Sequence, residues 1–110
     1  MSKKFDIQAH VKSGGVIPKV HPDSPFHRRP APGIECADGF IMSVQASETH
    51  YCTPRDNDGP YTEFEVGFPS EREDQLMPYA EDPERPTDTV YGYVPLEVIE
   101  ALIEKHGGVK

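Results

Sequence analysis

From Ser47 to Pro60 the chain reads SETHYCTPRDNDGP and concentrates more chemically able side chains than any other stretch of its 110 residues. Tyr51, with Tyr61 just beyond, offers aromatic faces on which a base or sugar ring can stack. Arg55 carries a planar fork of donors suited to one phosphate. His50, Asn57 and the hydroxyls of Ser47 and Thr53 supply the donors and acceptors that read ring edges and sugar hydroxyls. The expected ligand-binding residues are therefore Ser47, His50, Tyr51, Thr53, Arg55, Asn57 and Tyr61. Their guest would be a small nucleotide-like or sugar-phosphate molecule. The plainer alternative makes Tyr51 and His50 packing residues, pairs Arg55 with Asp56 or Asp58, and leaves Asn57-Asp58-Gly59-Pro60 as turn chemistry.

Catalysis is less well served by the same stretch. His50 and Cys52 alternate along an extended chain and so share a face, but no third group is placed to orient the imidazole. The chain has no nucleophile elbow, P-loop, dinucleotide fingerprint or HExxH pair. His50, Cys52, Asp56 and Asp58 follow no recognised metal-ligand spacing. The expectation is a binder without a catalytic centre, resident metal or cofactor. Cys36 and Cys52 read as reduced packing thiols.

The elements that must hold this stretch show in the apolar pattern. Asp38-Gly39 suits a two-residue type I′ turn between strands, which would set Ala37 opposite Phe40 and Glu35 opposite Met42. Phe40, Met42, Val44 and Ala46 would then line one face and Ile34, Cys36 and Ile41 the other, so both faces would need cover. Tyr61–Phe68 alternates with period two, and Thr89–Val94 has high β propensity. Pro95 then opens the only convincing helix, with Val98, Ile99, Leu102 and Ile103 on one stripe, Lys105 and His106 at its negative end and Gly107 as cap. The predicted fold is α+β, a small antiparallel sheet of about four strands packed with one C-terminal helix. Before that domain (33–110) comes a Pro-rich extended N-terminal arm (1–32). Fourteen residues is long for a hairpin connection, and long loops in compact domains tend to carry function.

Charge narrows the partners. The formal net charge is −8, which disfavours duplex nucleic acid, because that binding rests on neutralising many phosphates. No apolar run approaches the roughly 20 residues needed to cross a bilayer, so no membrane partner and a cytoplasmic location are expected. A small apolar core favours a homo-oligomer. The arm is basic, with six Lys/Arg against two acids, and its His10, His21, His27 and the pair Arg28-Arg29 read as surface residues. Residues 71–88 hold seven acids against two Arg and read as a solvated loop, or as the part that docks on a basic host protein.

The segments SVQAS (43–47), HYCTPRDN (50–57), GPYTEFEVGFPS (59–70), DTVYGYVP (88–95) and IEKHGG (103–108) look like those of small proteins from bacteriophage and prophage genomes. The chain resembles the phage anti-Thoeris signal sponges. That resemblance implies a small sheet-plus-helix fold, homo-oligomers, and sequestration of a cyclic ADP-ribose-type immune signal without cleavage. It would make the chain a phage anti-defence protein acting in the host cytoplasm.

Overall fold

Period-two alternation and one amphipathic stripe account for most of the architecture. A computed structural model describes residues 5–14, 16–18, 26–28 and 30–110. The elements run α1 (Ile7–His10), β1 (Val16–Pro18), β2 (Phe26–Arg28), β3 (Ile34–Glu35), β4 (Ile41–Gln45), β5 (Glu63–Gly67), a 3₁₀ turn (Met77–Tyr79), β6 (Val90–Pro95) and α2 (Leu96–Lys105). Strands β3-β4-β5-β6 form one antiparallel sheet in chain order, and β1 pairs with β2 in a separate ribbon. The fold is α+β, as the pattern predicts. The expected Pro-rich arm falls partly outside the described residues. Its beginning does not stand apart: Asp6 caps α1 through the Ala9 amide, and Ile7 and Val11 enter the common core.

The core forms on one face of the sheet. Met42, Val44, Phe64, Val66, Tyr91 and Val94 are buried there with Ile99, Leu102 and Ile103 of α2. Each such side chain contributes roughly 1.5–3 kcal/mol relative to exposure. Val98, expected on the stripe, is half-buried at its margin.

The β3–β4 turn departs from the expected register. Ile34 faces Met42 and Glu35 faces Ile41, so Cys36 stands opposite Phe40 and the loop is the three-residue Ala37-Asp38-Gly39. Gly39 donates to the Cys36 carbonyl (2.9 Å) at φ +96°, the arrangement of a tight turn closed by one left-handed residue. Moving the register by one residue exchanges the faces of a strand. Ile34 and Cys36 therefore join Phe40 and Met42 in the core, and Ile41 is left exposed. The second face needs no apolar cover: it presents Ser43, Gln45 and Glu65. There the Gln45 amide accepts from the Ala31 N–H and donates to the Ala31 carbonyl, both at 2.8 Å.

Both sheet edges are closed. Helix α2 ends in a Schellman motif, with Gly107 and Gly108 at positive φ and their amides on the Glu104 and Ile103 carbonyls. The tail then runs beside β3, bridging Cys36 to Val109. At the other edge Ala80 bridges Tyr91 and Glu81 donates to Val90. Residues 71–88 are thus not simply solvated: Leu76 is in the core, and Glu73 is 2% exposed.

Glu73 belongs to a buried ionic cluster that joins three separate parts of the chain. His106, at the end of α2, lies 2.6 Å from Asp38 through Nδ1 and 2.5 Å from Glu73 through Nε2. With a carboxylate on each side, both ring nitrogens donate, which describes an imidazolium. Phe40 stacks on the ring at 4.1 Å, and Lys105 donates to the other Glu73 oxygen at 2.9 Å. Burial opposes the charge on His106, but the hydrogen bonds to Asp38 and Glu73 outweigh it and raise the pKa. Burial likewise opposes ionised Glu73, and Lys105 and His106 together pull its pKa down.

A group with a raised folded-state pKa stabilises below its ordinary value and loses that stabilisation as pH rises; a lowered carboxylate stabilises above its ordinary value and loses it in acid. The contributions of His106 and Glu73 therefore overlap fully between about pH 4.3 and pH 6.5. Urea midpoints should be highest in that window and fall toward alkaline pH. A flat profile from about pH 5.5 to 8.5 would refute a charged His106. His106→Ala should destabilise toward the lower end of about 3–5 kcal/mol, because Lys105 still faces Glu73.

Candidate functional site

The long connection from Ser47 to Pro60 is built from its own hydrogen bonds. Ser47, 2% exposed, accepts from the Thr49 amide and meets His50 Nδ1 at 2.6 Å. Asn57 accepts from the Glu48 amide at 3.1 Å, tying the two limbs together. One Asp56 oxygen accepts from the amides of both Asp58 and Gly59. Thr53 bridges Glu63 through its backbone and donates from its hydroxyl to the Glu63 carboxylate at 2.7 Å. Tyr61 is buried, donates to the Asp56 carbonyl at 2.8 Å, and has its backbone clamped from both sides by the Gln8 amide. The peptide bonds before Pro54 and Pro60 are cis.

The seven expected ligand-binding residues thus divide. Ser47, Thr53, Asn57 and Tyr61 brace the loop. His50 is half-buried between Ser47 and Glu65, whose carboxylate stands 3.9 Å from Nε2. Tyr51 and Arg55 are on the outside, where Tyr51 is 44% exposed and the guanidinium lies 5.5 Å from its ring centre. Although Asp56 and Asp58 flank it in sequence, Arg55 pairs with no carboxylate among the described residues. Asp56 instead accepts from the exposed backbone amides of Asp58 and Gly59.

Beside Tyr51 stands a residue that sequence reasoning passed over. Tyr93 is 43% exposed, with its ring 6.1 Å from that of Tyr51, and its amide donates to the Tyr51 carbonyl at 3.0 Å. It has φ +57°, a left-handed conformation costly for an aromatic residue, next to the β5–β6 register irregularity between Phe64 and Val66. Gly92 makes the close approach possible: a Cβ there would lie 3.2 Å from Tyr51 Cβ. A glycine inside a β-rich run, as in Tyr91-Gly92-Tyr93, was the available signal for a bulge or a close backbone contact.

Ser47, His50 and Glu65 stand in series, with the serine buried and its oxygen accepting from the Thr49 amide. Burial pushes the Cys52 thiol up in pKa, and its S–H points to the Ser47 and Pro54 carbonyls. Among the described residues, the metal-capable group is Glu71, Glu73 and His106, with ligand atoms within 4.8 Å of one another. A cation there would have to displace the proton between Glu73 and His106 and withstand the Lys105 ammonium.

The chain matches no protein-family model, no curated protein and no solved structure. The surface chemistry of Tyr51, Arg55 and Tyr93 therefore carries the functional argument. Among the described residues no helix is long and apolar enough to cross a membrane.

Loop shape rests on Gly59, which combines φ +72° with a would-be Cβ 3.0 Å from the Tyr61 ring. Gly59→Ala should destabilise by about 1–3 kcal/mol, because both the backbone and the buried ring resist. Thermal melting checks this; an unchanged midpoint would mean the loop is not packed on Tyr61 as described.

Proposed function

We propose that this chain is a non-catalytic binder of a small nucleotide, of the cyclic nucleotide or cyclic ADP-ribose type, held on the Tyr51–Tyr93–Arg55 platform. The observation that carries the reading is Arg55: a guanidinium supported on a tyrosine face, without a carboxylate partner among the described residues. A base or ribose stacks on the exposed tyrosines while the phosphate takes the arginine fork. Tyr93, held in a strained conformation at the surface, is consistent with a ligand-facing role, since such outliers cluster at binding sites.

Capture without turnover agrees with the resemblance to the anti-Thoeris sponges and would place the chain in phage immune evasion. Sequestration at nanomolar levels requires about −12 kcal/mol. An open platform cannot enclose most of a dinucleotide-sized ligand. A second copy closing over the first supplies the missing walls, which makes the functional unit a homo-oligomer.

Calorimetric titration with ADP-ribose, cyclic ADP-ribose and 3′,5′-cyclic AMP tests the reading, followed by heat denaturation and recovery of the ligand. At least one should bind and return intact. Arg55→Ala should weaken that binding by roughly 1.5–3 kcal/mol, and Tyr93→Ala by about 1–3 kcal/mol. Absence of binding across the panel, or affinities indifferent to both substitutions, would refute the platform.

A further inference from the structure

We infer that the Tyr51–Tyr93–Arg55 platform selects ligands whose phosphate carries a single negative charge, a phosphodiester such as a 3′,5′-cyclic nucleotide, over phosphomonoesters and pyrophosphates, which carry a second. The selection rests on the nucleotide reading of that platform and names the ligand class within it.

The supply of cations sets the limit. From residue 33 onward the Lys and Arg residues are Arg55, Arg72, Arg85, Lys105 and Lys110. Four of them already face a carboxylate: Arg72 meets Asp74 at 3.2 Å, Arg85 meets Asp88 at 3.8 Å, Lys105 meets Glu73 at 2.9 Å and Lys110 meets Glu35 at 3.2 Å. Arg55 instead faces a ring, 5.5 Å from the centre of Tyr51. Its fork offers two parallel N–H donors. A phosphodiester answers them with two unesterified oxygens and one charge. In a phosphomonoester near neutral pH, or in a pyrophosphate, one charge is left over.

That second charge meets acids rather than a further cation. Glu63 accepts from the Thr53 hydroxyl at 2.7 Å, two residues before Arg55 in the loop, and a neutral donor leaves the carboxylate its charge. Burial raises the Cys52 pKa most, and Arg55 and Glu65 then act on that thiol in opposite directions, which sets both charges around one side chain. Asp58 is exposed three residues beyond Arg55. Near a protein surface such charges act over about 10 Å before salt screens them. Arg55 thus matches the first charge of a ligand, while Asp58, Glu63 and Glu65 repel the second. A second copy closing over the platform brings its own acids with its own arginine, at the same net charge of −8, and does not reverse the balance.

Calorimetric titrations of the full chain compare four adenine ligands that differ at the phosphate: 3′,5′-cyclic AMP, the 5′-methyl ester of AMP, 5′-AMP and ADP-ribose. EDTA removes bridging cations, and at about pH 7.5 the monoester carries its second charge. The methyl ester has one charge without the cyclic ring, so it separates charge from shape. Both diesters should bind at least about threefold more tightly than 5′-AMP and ADP-ribose at about 0.1 M salt. Raising the salt to about 1 M should narrow that ratio, because the screening length falls to ~3 Å. Asp58→Asn/Glu63→Gln, which keeps an acceptor for Thr53, should narrow it as well. Equal or tighter binding of 5′-AMP and ADP-ribose, weakened by Arg55→Ala, would overturn the charge selection and leave the platform standing. Binding of cyclic AMP without binding of the methyl ester would also overturn it, by assigning the preference to ring shape. Absence of binding by all four overturns the platform and the selection together.

Discussion

One buried cation organises this fold. His106 stands between Asp38 in the β3–β4 turn and Glu73 in the 71–88 segment, under the Phe40 ring. None of those segments is near another in sequence. The helix end cannot shift without leaving two carboxylates unmatched, and Glu73, at 2% exposure, has no water to turn to. Leaving one partner of such a pair buried alone is far more damaging than replacing the whole set with apolar groups. The cluster therefore contributes registry more than net stability. It sets where α2 stops, and hence where Gly107 and Gly108 turn the tail onto β3.

The same cluster explains the turn that local rules misplace. Asp38-Gly39 taken alone favours a two-residue loop. In the fold, Asp38 must reach His106, its own amide donates to the His106 carbonyl, and Ala37 donates to Gly108. A three-residue loop permits all of this and turns Ile34 and Cys36 into the core. Elements with long, strongly periodic patterns were legible from the residues alone: β5, β6 and α2 fall within a residue or two of their expected bounds. The register of a hairpin with apolar residues on both strand faces was not, because the deciding contacts lie about seventy residues away.

The candidate site was legible in composition and less so in geometry. Residues able to bind a nucleotide are also able to hydrogen-bond a loop into shape, and sequence does not say which task each performs. Ser47, Thr53, Asn57 and Tyr61 brace the loop. Tyr51 and Arg55 remain outside, and Asp56 gives one oxygen to the amides of Asp58 and Gly59 rather than to the arginine. Tyr93 joins them from another strand through a bulge, and strand propensity alone gave no reason to look for it on that surface.

A division of labour follows from where polar groups are satisfied. The loop hydroxyls and amides are engaged by the chain itself, the sheet edges are covered by the tail and by Ala80–Glu81, and among the described residues no buried side-chain polar atom lacks a partner. What is left without a carboxylate partner among the described residues is at the surface, an arginine on a tyrosine face. In a domain that meets its internal demands so fully, a guanidinium kept on an exposed aromatic face is better explained by something outside the chain. That surface calls for an anion that carries a ring, the chemistry that Arg55 shares with the tyrosine faces beside it.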